Sequence, residues 1–83
     1  METKIGAVDD FFAKLCVVAL VLEGDLQVGE TIHIKGHTTD ITQQVQSMQV
    51  QHQTVTKAKK GDSIGIKVDD RVRKGDIIYK VTA

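Results

Sequence analysis

The sequence predicts an all-β protein, folded as a small closed six-stranded antiparallel β-barrel. The first observation is a glycine followed by an acidic residue at Gly29-Glu30, Gly61-Asp62 and Gly75-Asp76. Each pair precedes a short apolar run, as expected where a tight turn feeds a strand. The second observation is that Val and Ile supply most of the apolar residues, while Trp and Pro are absent. Closing short strands into a barrel removes exposed edges, and an open sandwich is the alternative.

The chain of 83 residues is long enough for one hydrophobic core, so residues 1–83 are predicted to form a single β-barrel domain. The only cysteine, Cys16, cannot form an internal disulfide, which favours a reducing compartment. The first residues lack the pattern of a signal peptide, and the longest apolar run, Leu15–Leu22, is too short for a membrane helix. We therefore expect a cytoplasmic protein with no membrane partner.

Alternating polarity and turn residues mark the predicted strands. Within Thr31–Lys35, Ile32 and Ile34 share one face, and His33 is expected on the other face as a solvated strand histidine. The pattern changes phase within Ile41–Val50, which predicts a β-bulge near Gln46-Ser47. The six predicted strands are Lys4–Val8, Ala13–Leu22, Thr31–Lys35, Ile41–Val50, Ser63–Val68 and Ile77–Val81, and the structural turns are assigned to Gly24, Gly29, Gly61 and Gly75.

One segment, Cys16–Leu22, is apolar at every position. Because a strand of a small barrel buries only one face, half of these side chains point outward. The outward-facing residues are either Val17, Ala19 and Val21 or the alternate set Cys16, Val18, Leu20 and Leu22. Two interpretations remain open: a neighbouring segment such as Phe11-Phe12 covers these side chains, or they form a docking surface for a partner or a second copy.

Sequence motifs for catalysis and cofactor binding are missing. No G-x-x-x-x-G-K-[ST] loop is present, so we expect no nucleotide ligand. The irregular spacing of His33, His37 and His52 predicts no metal site and no cofactor, although a metal or small-molecule sensor is a third interpretation. Cys16 has apolar neighbours and is expected to be an inert, buried thiol. We find no catalytic residue and predict that the chain is not an enzyme.

Charge is distributed unevenly along the chain although its net value is zero. Residues 1–43 carry a net charge of −4, and residues 44–83 carry +4. This asymmetry reflects either an ordinary solvated surface or a basic face that contacts phosphates. The candidate RNA-binding residues are Lys57, Lys59, Lys60, Arg71, Arg73 and Lys74.

Several segments in order resemble domain II of translational GTPases such as elongation factor Tu and initiation factor 2. Residues 24–34, GDLQVGETIHI, are similar to the family pattern G-x-L-x-V-G-D-x-I-x-I, with Glu30 in place of Asp. Residues 55–66, VTKAKKGDSIGI, are similar to V-x-x-A-x-x-G-D-x-V-G-I. Residues 45–49 and 75–78 match shorter signals of the same family. Small stand-alone proteins described as translation elongation factor-like are the nearest match, and a related barrel lies at the C-terminus of collagenase-like peptidases.

The resemblance implies a binding module that contacts RNA or the ribosome, without a GTPase domain. The alternative is a protein-interaction or accessory subunit that docks through Cys16–Leu22. The oligomeric state stays open at this stage.

Overall fold

The computed structural model describes residues 1–82, and within them the chain forms eleven strands in three antiparallel sheets. The all-β prediction is confirmed. The strands in chain order are β1 (Glu2–Ala7), β2 (Asp10–Phe12), β3 (Val17–Val21), β4 (Leu26–Gln27), β5 (Thr31–Lys35), β6 (Asp40–Gln44), β7 (Met48–Val50), β8 (Gln53–Val55), β9 (Lys57–Ala58), β10 (Ser63–Lys67) and β11 (Ile77–Val81).

The sheets differ in size and none of them, over residues 1–82, closes on itself. The four-stranded sheet has the order β1-β11-β5-β6, the five-stranded sheet β2-β3-β10-β7-β8, and β4 pairs with β9. The predicted closed barrel of six strands is therefore not confirmed, because the strands are distributed over three sheets and one expected strand, Ile41–Val50, is divided between two of them. In the part of the chain that the structure describes, no helix is long and apolar enough to cross a membrane.

A single hydrophobic core lies between the inward faces of the sheets. Ile32 and Ile34 of β5 are both 0% exposed, which confirms the alternation predicted for that strand. Val18 and Leu20 of β3 are equally buried. Aliphatic side chains thus supply the core, as the composition predicts. The other core members are Ile5, Val8, Leu22, Leu26, Val45, Met48, Ala58, Ile64, Ile66, Val68, Val72 and Ile78.

The predicted strand Ile41–Val50 is in fact two strands in different sheets. β6 ends at Gln44 and β7 begins at Met48, so the expected bulge at Gln46-Ser47 is wrong. The phase changes there because the chain crosses from one sheet to the other. Gln43 is buried and joins β6 to the end of β10: its side-chain amide donates to Lys67 O (3.2 Å) and its Oε1 accepts from Asp69 N–H (2.9 Å).

The predicted strand Ala13–Leu22 begins later than expected, at Val17. The preceding residues form a turn in which Leu15 N–H donates to Phe12 O (3.1 Å) and Cys16 N–H donates to Ala13 O (3.3 Å). Cys16 has a φ of 54° and is partly exposed, so the expectation of a buried thiol within the strand is wrong.

The three glycine–acid turns have the same hydrogen-bond pattern. Asp62 N–H donates to Lys59 O (3.0 Å), and Lys59 N–H donates to Asp62 Oδ2 (3.0 Å). Between them, Gly61 has a φ of 93°, a conformation that glycine adopts without a Cβ clash. The equivalent turns contain Gln27, Gly29 and Glu30, and Arg73, Gly75 and Asp76.

Each glycine–acid turn is also bonded to a buried residue of a distant segment. Gly61 N–H donates to Leu22 O (2.8 Å), and Leu22 N–H donates to Asp62 O (2.9 Å). Two backbone bonds thereby hold the turn against a core residue that is 2% exposed. The same pair of bonds joins Gly29 and Glu30 to Val45, and Gly75 and Asp76 to Val8.

Gly24 differs from these three glycines. It lies between β3 and β4, and a Cβ added there would lie 3.8 Å from the Ile5 side chain, which is an ordinary contact.

Candidate docking face

The outer face of the five-stranded sheet is apolar along β3. Because Val18 and Leu20 point into the core, the outward side chains are Val17, Ala19 and Val21. Val21 is 47% exposed although valine favours burial. The structure thus selects one of the two sets that the sequence left open for Cys16–Leu22.

Neighbouring residues extend this face instead of covering it. Phe12 of β2 lies opposite Val17 in the β2–β3 ladder and is 48% exposed. Leu15, in the turn between these strands, is 67% exposed. Phe11 points the other way and packs against the core. Phe11 therefore does not cover the outward side chains of β3, and Phe12, which lies beside Val17, leaves Val21 exposed. Phe12, Leu15, Val17, Ala19 and Val21 are together called the apolar face.

A shallow groove runs across the apolar face where side chains are small. Gly65 of β10 lies opposite Ala19 in the ladder, so the floor of the groove is backbone and one methyl group. A Cβ at Gly65 would lie only 3.1 Å from Val17 Cγ1, which is tighter than ordinary contact. Glycine therefore keeps the floor low and the backbone accessible. Polar side chains also line the groove, namely Gln49, Gln51, His52 and Ser63, and Lys67 lies opposite Val17 beside it.

Unusual backbone conformations border this groove. Gln51 and His52 have φ values of 51° and 66° and form the two-residue connection between β7 and β8. Such a connection requires positive φ at both positions, which Asn-Gly adopts more easily than Gln-His. Within residues 1–82, Cys16 is the only other non-glycine residue with positive φ, and it follows Leu15. Strained residues of this kind often cluster where a protein binds something.

The six predicted RNA-binding residues are not gathered at one cleft. Lys57 and Lys59 line a depression beside the two-stranded sheet. Arg71 and Arg73 line a different depression, next to the connection between β5 and β6. Each depression also contains carboxylates, which reduce its attraction for phosphate: Asp25, Glu30 and Asp62 in the first, Asp40 and Asp70 in the second. Lys60 and Lys74 lie in glycine–acid turns.

His33 differs from the solvated strand histidine that the sequence predicts. It points outward from β5, but its side chain is only 14% exposed because two carboxylates enclose it. Nδ1 lies 2.7 Å from Glu2 Oε2, and Nε2 lies 2.5 Å from Asp40 Oδ1. The hydrogen bond to Asp40, followed by that to Glu2, raises the pKa of His33 above its ordinary 6.5, although burial opposes the shift.

The described residues offer no metal site. Over residues 1–82, no group of three or more His, Cys, Asp or Glu side chains is arranged to hold an ion. The two carboxylates at His33 bind opposite ring nitrogens and so do not converge on one point.

Relatives of this chain are named as proteases. No family model matches the sequence. An uncharacterized protease of Methanocaldococcus jannaschii is 43% identical over 79 residues, which are 94% of this chain and 19% of that protein. A collagenase of Porphyromonas gingivalis is 38% identical over 81 residues, covering 95% of this chain and 22% of the collagenase. The chain thus spans about a fifth of the length of the curated relatives it matches.

Two solved structures share the fold. The first is the C-terminal domain of a Geobacillus thermoleovorans protein described as a U32 peptidase, with a TM-score of 0.86 at 12% identity over 94% of this chain and 91% of that chain. The second is the bacterial selenocysteine-specific elongation factor EF-Sec, with a TM-score of 0.68 at 21% identity over 95% of this chain and 14% of that chain. The resemblance to translation factors therefore holds in part, for the fold, and the likeness to the peptidase domain is greater.

The prediction that this chain is not an enzyme is wrong. Relatives that are 38–43% identical over most of the chain are named as proteases or collagenases, which points to an enzyme family. Catalytic motifs could not reveal this relationship, because the matched segment is only about a fifth of each relative. The signal that did carry it was the likeness of the barrel to the C-terminus of collagenase-like peptidases.

Proposed function

We propose that residues 1–83 act as one β domain of a U32-type peptidase, and that the apolar face holds this domain against the rest of the peptidase. The observation that carries the proposal is the 43% identity over 94% of this chain to a protease about five times as long. In such a relative, the remaining four-fifths of the polypeptide provides a surface beside the domain.

The side chains of the apolar face are suited to contact with the rest of the peptidase. Burying a side chain such as Phe12 or Leu15 completely contributes about 1.5–3 kcal/mol compared with leaving it in water. Both residues are at least 48% exposed, so much of this contribution is still available to a partner. A protein surface matches the patch because aliphatic and aromatic side chains lie beside polar ones in it: Lys67 is opposite Val17 in the β3–β10 ladder, and Gln49 lines the groove.

A chimera tests the proposal. The 81 matching residues of the Porphyromonas gingivalis collagenase are replaced by this chain, and cleavage of soluble collagen is compared with that of the natural enzyme and of a version lacking the segment. We expect the chimera to be active and the deletion to lose most activity. Val21→Lys in the chimera should lower activity and loosen the domain in limited proteolysis, whereas Thr42→Lys on the four-stranded sheet should do neither.

Two results would contradict the proposal. The first is full activity after deletion of the whole segment. The second is binding of the isolated chain to soluble collagen, but not to the collagenase lacking its matching segment. That outcome would make the apolar face a site for substrate.

A second candidate function is the contact with RNA or the ribosome that the sequence favoured. The fold likeness to EF-Sec supports it, together with the basic residues Lys57, Lys59, Arg71 and Arg73. Fluorescence anisotropy with labelled tRNA at several salt concentrations tests this candidate. If phosphates are bound, replacing Lys57 and Lys59 by Ala should reduce the slope of log K against log salt by about one for each lost contact. Equal anisotropy with and without protein at low salt would eliminate it.

A further inference from the structure

One imidazole contacts both edges of the four-stranded sheet. His33 lies on the inner strand β5, Glu2 is on β1 and Asp40 is the first residue of β6. The sheet order β1-β11-β5-β6 makes β1 and β6 its two edge strands. Because β11 separates β1 from β5, the Glu2 carboxylate reaches His33 across a whole strand. Through His33, the side chains therefore connect β1 with β6, two strands that share no ladder.

Hydrogen-bond chemistry determines the protonation state that this arrangement needs. An ionised carboxylate only accepts hydrogen bonds, and a neutral imidazole has a single N–H donor. At His33 each ring nitrogen faces a different carboxylate oxygen, at 2.7 and 2.5 Å. Both bonds form together only when the ring carries two protons and is cationic. A neutral ring must release one of the two carboxylates.

We infer that His33 is a proton-dependent fastener that holds both edge strands of the four-stranded sheet, through Glu2 on β1 and Asp40 on β6. Loss of one proton releases one edge. This role is separate from the proposed peptidase function and involves the four-stranded sheet, whereas the apolar face belongs to the five-stranded sheet.

The other charged or titratable groups near His33 leave this assignment intact. Tyr79 on β11 lies opposite His33 in the ladder, with the ring centroids 6.2 Å apart. Lys4 on β1 lies opposite Tyr79 in the β1–β11 ladder, and its ammonium group lies 3.9 Å from Glu23. Lys35 follows two residues along β5 on the same face. Among residues 1–82, Glu2 and Asp40 are the side chains that hydrogen-bond to the imidazole.

The pH range follows from the direction of the shift. The pKa of His33 is raised above 6.5 in the folded protein, so protonation stabilises the fold. The contribution is complete below the unfolded pKa and is lost as the pH rises through the folded pKa. It also weakens below about pH 4, where carboxyl groups become protonated. The hydrogen bonds of His33 to Glu2 and Asp40 therefore form together from mildly acidic to near-neutral pH.

Nuclear magnetic resonance on the intact chain tests the inference. Nitrogen-15 shifts of the His33 ring report its protonation between pH 5.5 and 9, and hydrogen exchange reports the ladder amides of β1 and β6. We expect a doubly protonated ring at pH 6. After correction for intrinsic exchange, edge protection should fall at least threefold relative to β3 and β10 as the ring deprotonates.

Two variants make the outcome decisive. His33→Gln should remove the pH dependence of edge protection, whereas His52→Asn should keep it, since Asn tolerates the positive φ at that position. A neutral His33 ring at pH 6 would overturn the inference. So would edge protection that follows the central strands at every pH, or that keeps its pH dependence in His33→Gln.

Discussion

The outer faces of the two larger sheets differ sharply although their inner faces are alike. Inward side chains of β3 and β5 are aliphatic and 0% exposed in both sheets. Outward, β5 carries Thr31, His33 and Lys35, and its histidine is bonded within the domain. Outward, β3 carries only Val17, Ala19 and Val21.

This difference separates folding from binding. Packing in the core accounts for the apolar character of the inward residues of both sheets, and contact with solvent accounts for the polar outer side of β5. Neither explains an aliphatic outer face on β3, since a valine that is 47% exposed gains little from the fold. The apolar face is therefore where we expect selection by a partner, and the polar face is where the domain stabilises itself.

The largest expected effect tests the inward–outward division on β3 itself. Leu20→Ala should lower the free energy of unfolding by about 2–5 kcal/mol, because it leaves a cavity in the core. Val21→Ala, one residue along the strand, should change it by less than about 0.5 kcal/mol. Urea denaturation of both variants measures the difference. Comparable losses at the two positions would show that the apolar face contributes to folding.

A second prediction compares two glycine–acid turns, one before β11 of the four-stranded sheet and one before β10 of the five-stranded sheet. Asp76 precedes β11, is 6% exposed and accepts a hydrogen bond from Arg73 N–H (2.9 Å). Asp76→Ala should destabilise the fold by about 1–3 kcal/mol, because the buried turn loses its acceptor. The better solvated Asp62, which precedes β10, should cost about 1 kcal/mol or less when replaced by Ala. Thermal unfolding at neutral pH would refute this order if Asp62→Ala proved the more damaging change.

A third prediction concerns the apolar face as a binding surface. Leu15→Ser should weaken binding of this chain to the collagenase lacking its matching segment by about tenfold, or about 1.4 kcal/mol. The unfolding free energy should stay nearly constant, because Leu15 is 67% exposed in a turn. Isothermal titration calorimetry measures the affinity, with Thr42→Lys as the control on the other sheet. Unchanged affinity in Leu15→Ser would exclude this residue from the contact.

The smallest expected effect belongs to the polar face. Wild type should be more stable than His33→Gln by about 1 kcal/mol or less, because Asp40 is largely exposed and solvent screens the pair. The difference should be greatest at pH 6 and should vanish at high pH, since the raised pKa of His33 stabilises the protonated fold. Melting temperatures at pH 6 and pH 9 provide the test, and an equal difference at both values would argue against proton linkage.

Local patterns in the sequence were enough to predict much of the fold. Alternation in Thr31–Lys35 identified the buried Ile32 and Ile34, because side chains on one strand change face at every residue. The glycine–acid pairs located three turns. Two-residue strands such as β4 are too short for any periodicity, so the sequence could not reveal them. The break between β6 and β7 was misread because a bulge and a sheet crossing invert the pattern in the same way.

The candidate sites were harder to predict because they depend on residues that are distant in sequence. The apolar run at β3 indicated a docking surface, but Leu15 and Gly65 joined it only through folding. His33 was expected to be solvated because Glu2, one of its two partners, lies on the distant strand β1. Asp40 is on the neighbouring strand β6, but the sequence does not show that its side chain extends to the imidazole. A linear pattern does not contain such cross-strand contacts.

The glycine–acid turns have a consequence for the order of assembly. The connection between Gly29 and Val45 lies inside that between Leu22 and Gly61, which in turn lies inside that between Val8 and Gly75. The three connections are concentric along the chain. Each inner closure shortens the loop that the next one must close, which reduces its entropic cost. Folding should accordingly proceed from the middle of the polypeptide outward, and unfolding should begin where the outermost connection joins the two ends.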